Sequence, residues 1–245
     1  MIFLTPAIAA EAEEVNPDPY EKSNRRVYKF NTGLDSYILL PLAKSYDFVT
    51  PPFIQAGMTN FFRNTAEPYI MLNDALQLKM VSFYQGAARV SINSVIGLLG
   101  LIDVASYIGL PRHSEDFGQT LGAWGVSAGP YLEVPFLGPS SSRDIFPTVV
   151  ETFYAPRLSL LKLNSDQRWG LFVVNLLNTR NNLRSIEGIV IGDRYTFIRD
   201  AYLQNREYQV RDGQVVWDSF QLEEIEDELD DLDNLDALDG TELPE

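Results

Sequence analysis

The residues with most chemical promise lie around a single serine. Gly125-Val126-Ser127-Ala128-Gly129 reproduces Gly-x-Ser-x-Gly, the sharp turn that exposes the nucleophile of α/β-hydrolases. That turn needs a strand before it and a helix after it. Here Leu121-Gly122-Ala123-Trp124 precedes and Pro130 follows. The only histidine, His113, lies before Ser127, whereas the hydrolase order places histidine last. Unrelated triads have no fixed order, so a Ser127–His113 pair stands as a question of geometry. Asp116-Phe117-Gly118 copies a kinase metal-binding triplet, but no Gly-rich phosphate loop or His-Arg-Asp segment accompanies it. The absence of cysteine excludes disulfides and thiolate chemistry in this sequence, and one histidine cannot make a His-rich metal site. No metal, no cofactor and no catalytic residue are expected. Arg143-Asp144 reads either as a surface turn pair or as a polar group at the mouth of an apolar cavity. An arginine fork in such a place suits a phosphate.

The segment that must position these residues is unusual. Between Asp116 and Arg143 the only charged residue is Glu133, yet glycines recur at 118, 122, 125, 129 and 138 and prolines at 130, 135 and 139. Such a stretch predicts irregular backbone in an apolar setting, which proteins in lipid use where the chain is buried or lines a cavity. The spacing of Gly118, Gly122, Gly125 and Gly129 would line one helix face, but Pro130 and Pro135 favour a loop using glycine for positive φ. Gly97 and Gly100 interrupt a second apolar run, Val90 to Ile102. Each costs on the order of 1 kcal/mol in a helix relative to alanine, which implies a use.

The net charge of -15 misrepresents most of the chain. From Glu223 onward there are 12 acidic and no basic residues, so the body carries only -3. A near-neutral body gives no electrostatic reason to expect nucleic acid. Residues 1–10 combine an apolar start with Ala7-Ile8-Ala9 and resemble the end of a secretory signal peptide. Residues 11–218 then form one domain, and 219–245 an acidic tail. No run reaches the roughly 18 apolar residues of a spanning helix.

The remaining elements read as helices. Asp18 predicts an N-cap with Pro19 at the first helical position and Glu21 completing a capping box, with Val27, Phe30 and Leu34 on one face. Tyr37 to Pro52, broken by three prolines, predicts a short helix at best. Pro68 predicts a helix start with Leu72, Leu76 and Met80 along one side, and another helix begins near Ser82. Asp103 to Gly109 gives a further turn or two. Asp166 predicts a cap for a helix whose stripe is Trp169, Phe172, Val173, Leu176, Leu177 and Leu183. Arg194 to Glu207 predicts a helix with Phe197, Ala201 and Tyr208 inward. Asp212-Gly213 predicts a small C-terminal hairpin over Val210 to Trp217.

These segments together resemble the VacJ-like (MlaA) family. Asp18-Pro19-Tyr20-Glu21 with Asn24-Arg25, then Phe30-Asn31 and Leu34-Asp35, look like its N-terminal signature. Asn60-Phe61-Phe62 and Glu67-Pro68 resemble its next block, and Asn93 through Asp103 its Gly-containing element. Asp116 through Gly122, Trp124-Gly125-Val126, Gly129-Pro130-Tyr131, Leu137-Gly138-Pro139-Ser140 and Arg143-Asp144 resemble its central motif. Arg199-Asp200-Ala201-Tyr202 resembles its C-terminal element. The resemblance spans about residues 16 to 210. Three features depart from the family pattern: there is no cysteine for lipidation, Gln77-Leu78-Lys79 stands where the family often shows Gln-Gly-Lys, and the acidic tail is extra.

The resemblance implies a mainly α, ring-like single domain of amphipathic helices with an irregular Gly/Pro-rich central segment. Through the family it implies a setting in the inner leaflet of the outer membrane, facing the periplasm. It further implies phospholipid taken from the outer leaflet through a central amphipathic channel and passed to a periplasmic lipid-carrier protein. A trimeric outer-membrane porin is the implied neighbour, with this chain itself monomeric. Gly97, Gly100 and Trp124 are candidate channel-shaping residues, and Asp103, Arg143 and Asp144 candidate polar lining. Two alternatives remain: a lipid-acting serine hydrolase using Ser127, and a structural adaptor that binds a porin without moving lipid.

Overall fold

Prolines and glycines decide where these helices begin and bend, and tertiary contacts override several of them. The computed structural model describes residues 16–153, 163–184 and 192–214. The signal-like residues 1–10 and the tail 219–245 lie outside the described residues. Helix α1 spans Glu21–Leu34 and continues through a π-helical turn, Asp35–Leu39, into α2, Leu40–Val49. The short helix expected around Pro41 is thus part of a longer rod. Pro41 falls in the first turn of α2, where its missing N–H is harmless, and the π turn absorbs the change of register.

Helix α3 runs from Pro52 to Leu76 with Pro68 in its interior, so Pro68 does not start a helix as expected. An interior proline costs about 3 kcal/mol or more. Packing along α4, Met80–Val95, offsets that cost. After α4 the chain turns on Leu98, Leu99 and Gly100, which all have positive φ. Gly100 is required there, because a Cβ would lie 2.4 Å from that of Asn64 on α3. The single-turn α5, Val104–Tyr107, follows with Asp103 as its N-cap.

The segment expected to be irregular is more regular than its composition suggests. It holds α6, Phe117–Ala123, and an antiparallel hairpin of β1, Tyr131–Val134, and β2, Gly138–Ser141, with Tyr131 opposite Ser141. Helix α7, Ile145–Phe153, comes next. Helix α8, Ser165–Leu183, is capped by Asn164 in a reciprocal capping box with Gln167, rather than by Asp166. Helix α9 spans Arg194–Val210. It stops where Asp212 and Gly213 take positive φ and the Gly213 N–H returns to the Tyr208 carbonyl at 2.9 Å. The same two residues that suggested a hairpin therefore end a helix. Val210 is helical, and residues 215–217 lie outside the described residues.

The burial pattern is inverted. Among the described residues, seven apolar side chains are buried, against sixteen polar or charged ones. Meanwhile Phe48 is 91 % exposed, Val95 81 % and Tyr107 87 %, and much of the apolar stripe of α8, including Trp169 and Val173, also faces outward. On α9 the inward side chain is Tyr195, with Tyr202 and Arg206 half-buried, whereas Ala201 and Tyr208 are exposed. A water-soluble domain would carry such an area of exposed apolar surface only at a binding or membrane-contacting face. Among the described residues no helix is long and apolar enough to cross a membrane.

Candidate functional site

Three polar clusters hold the helices together, and they account for much of the sequence pattern. The first docks the hairpin on α1. Asn24 and Asn31, two helical turns apart, face the same side. Asn24 donates to Asp18 at 2.8 Å and to the Tyr131 carbonyl at 3.1 Å, while its carbonyl oxygen accepts the Glu133 N–H at 3.0 Å. Asn31 donates to Glu133 at 2.9 Å and accepts the Phe136 N–H at 2.9 Å. Asp18 is not a helix cap. Its other oxygen accepts the Tyr195 hydroxyl at 2.6 Å, which ties the N-terminus to α9.

The second cluster joins α6, β2 and α9. The Arg206 guanidinium grips Asp116 through two bonds of 2.5 and 2.6 Å and Asp144 through a third of 2.8 Å. Arg143 donates to Asp144 at 2.8 Å, and the Tyr202 hydroxyl at 3.1 Å. Burial alone would raise the Asp144 pKa, but the bonds from Arg143 and Arg206 outweigh it and hold the carboxyl well below its ordinary range. Burial would lower that of Arg206, and its two carboxylate partners reverse the effect. Gly118 permits this approach: a Cβ there would lie 2.3 Å from both Arg206 and Asp144. At Gly122 a Cβ would meet Val210 at 2.7 Å and Arg143 at 2.8 Å. The close-packing reading of the glycine spacing therefore holds for Gly118 and Gly122, and the positive-φ loop reading for Gly125 and Gly129.

The third cluster secures the loop after α4. Arg89, fully buried, donates to both oxygens of Asp103 at 3.0 and 3.1 Å and to the Leu110 carbonyl at 2.7 Å. Asn93 adds a bond of 2.9 Å to Asp103. Burial pushes the Asp103 pKa up, but bonds from Ser106 and Asn93 and the Arg89 charge bring it down to about 2.

Between these elements lies a cavity of about 1090 Å³. Its wall is drawn from α1, the π turn, α3, the chain just before α6, the hairpin turn, α7 and α8. Leu34, Phe62, Ile70, Phe172 and Leu176 supply apolar surface. Asn175, Asn178, Thr179 and Asn182 supply a polar stripe on α8, and Arg63 and Arg112 supply positive charge. Asn178 also fixes α8 in place, donating to Thr59 at 2.7 Å and accepting from the Tyr46 hydroxyl at 3.1 Å. Phe136 reaches the wall from a left-handed backbone with φ of 68°, pinned by the bond to Asn31 and set edge-on to Phe30.

None of Gly97, Gly100, Asp103, Trp124, Arg143 and Asp144 is among the residues that line this cavity. Gly97 and Gly100 let the loop after α4 close up, the former with a Cβ position 2.2 Å from the Ile102 carbonyl oxygen. Trp124 donates its indole N–H to the Leu76 carbonyl at 3.1 Å and so finishes α3. Asp103, Arg143 and Asp144 serve the clusters above, the last two as a buried ion pair. The lining residues were readable only in part. The spacing of 175, 178, 179 and 182 marks a polar face beside the apolar stripe of α8, but it carries no charge to draw notice. Arg63 has Glu67 four residues on, the spacing of a helical ion pair, yet Glu67 is buried 3.8 Å from Arg89.

The hydrolase geometry does not assemble. Nε2 of His113 lies 2.8 Å from Asp74, Ser127 is exposed, and no hydrogen bond joins His113 to Ser127 among the described residues.

Comparison with known proteins agrees with this architecture. The sequence matches the MlaA lipoprotein family over residues 16–209. The intermembrane phospholipid transport system lipoprotein MlaA of Escherichia coli is 33 % identical over 207 residues, which are 81 % of this chain and 80 % of that protein. Its counterpart in Haemophilus influenzae is 32 % identical over 81 % of each chain. An uncharacterised protein of Rickettsia felis is 36 % identical over 79 % of this chain and 78 % of that one. A solved structure concerned with the maintenance of bacterial outer-membrane lipid asymmetry is similar with a TM-score of 0.68 and 33 % identity, covering 80 % of this chain and 100 % of that one. With the family pattern matched over residues 16–209 and relatives 32–33 % identical over most of both chains, this chain belongs to the MlaA lipoprotein family.

Proposed function

We propose that this protein transfers phospholipid between membranes, and that the central cavity is the passage. The observation that carries this reading is the inverted burial: apolar side chains on the outside, polar ones inside, around a cavity with both characters. The exposed faces of α2, α4 and α8 suit contact with acyl chains, where binding scales with the buried apolar area. A headgroup leaving the leaflet would exchange water for the amides and hydroxyls of α8 instead of bare hydrocarbon, which spares it a large desolvation cost. The protein would sit in the inner leaflet of the outer membrane, draw phospholipid from the outer leaflet beside a trimeric porin, and deliver it to a periplasmic carrier. No covalent step by this chain is needed.

The test is transfer of a fluorescent phospholipid between vesicles with the reconstituted protein present. Wild type should accelerate transfer. Thr179→Trp, which fills the cavity from α8, should reduce the rate several-fold while leaving the fold intact by circular dichroism. If Thr179→Trp transfers at the wild-type rate, the cavity is not the passage. If wild type neither accelerates transfer nor carries co-purifying phospholipid, the transfer reading itself is wrong.

A further inference from the structure

Resting on the transfer reading, we propose that Arg63 and Arg112 form one anion subsite on the cavity wall, which takes the phosphate of a phospholipid headgroup. Both arginines line the same cavity from different elements, Arg63 from α3 and Arg112 from the chain before α6. Among the described residues neither has a hydrogen-bond or ion-pair partner. The wall carboxylates are engaged elsewhere. Glu115 is held by Lys79 at 2.9 Å and Gln77 at 2.8 Å, Asp116 by Arg206, and Glu151 by the Tyr69 hydroxyl. The two cations are close enough to sense each other: burial first, then the Arg63 charge, pushes the Arg112 pKa down, with Glu67 opposing.

Two like charges facing one cavity repel each other, and an anion between them removes that repulsion. A guanidinium fork matches phosphate oxygens with two parallel bonds, and two forks can hold a phosphodiester from both sides. Phe62 and Ile70, which line the same cavity from α3, offer apolar surface for acyl chains. This combination of phosphate and apolar chain is what separates a lipid headgroup from a free anion.

Full-length wild type and the R63Q/R112Q protein would be compared in detergent for binding of three probes. These are a short-chain phosphatidylglycerol, the diacylglycerol with the same acyl chains, and inorganic phosphate. Wild type should bind the phospholipid about tenfold or more tighter than the diacylglycerol. R63Q/R112Q should lose that preference with diacylglycerol affinity and melting temperature unchanged, and R63K/R112K should recover part of it. Should the double variant fail to fold, R63Q and R112Q singly should each show an intermediate preference. A phospholipid preference that survives the substitutions overturns the subsite. Displacement of the phospholipid by equimolar inorganic phosphate overturns its assignment to a lipid. A wild type that binds neither lipid would instead sink the transfer reading on which the subsite rests.

Discussion

Arg206 and Arg112 carry the same cation in opposite circumstances. Arg206 is enclosed between α6, β2 and α9, with Asp116 and Asp144 taking its donors in bonds of 2.5 to 2.8 Å. Arg112 opens on the cavity beside a second arginine; the Glu67 charge acts on it, but among the described residues no hydrogen bond or ion pair ties it to a carboxylate. A partnered, buried charge organises a fold, because removing one member strands the other in low dielectric. An unpartnered charge in a cavity is available for something that arrives. The lesson is that the motif-rich clasp is the frame of this protein, while the less conspicuous cavity wall is the part suited to a ligand.

The largest expected effect breaks the frame. Arg206→Met leaves Asp116 and Asp144 buried with fewer partners, so stability should fall by about 3–5 kcal/mol, read by chemical denaturation in detergent. An Arg206→Met protein as stable as wild type would mean that the clasp is dispensable and the comparison empty. A mid-sized effect comes from acid. The folded pKa of Asp103 lies at about 2, below its ordinary 3.8, so its contribution is complete above pH 4 and fades as pH falls toward 2. That contribution is on the order of 2 kcal/mol. Asp103→Asn should be less stable at neutral pH and show a shallower acid transition, followed by fluorescence. A smaller change should go the other way. Leu78 holds φ of 61° and is 79 % exposed, so its side chain strains the backbone while burying little. Leu78→Gly should gain about 1 kcal/mol in the same denaturation measurement.

Leu78 also bears on one departure from the family pattern. The flanking residues do the holding: Gln77 bonds Glu115 and Thr120, and Lys79 bonds Glu115 and Asp212. The residue between them needs only a left-handed backbone, which glycine supplies freely and leucine supplies at a cost. Asn24 and Asn31 were legible as parts of a motif, and Asp103 as a helix start. Their partners, 102 to 109 residues away in the hairpin for the two asparagines, were not.

By itself the sequence determined the helical class, the stops at glycine, the concentration of acid in the tail and the family to which the chain belongs. Local rules suffice for these, since periodicity, backbone freedom and motif spacing are properties of neighbouring residues. Only the tertiary structure decided that Pro68 sits inside a helix, that Asp18 and Asp144 are buried clasps, and which side chains face the cavity. Those outcomes depend on which distant element meets each face. In a protein whose interior is polar and whose exterior is apolar, hydrophobicity alone cannot tell a reader which face that is.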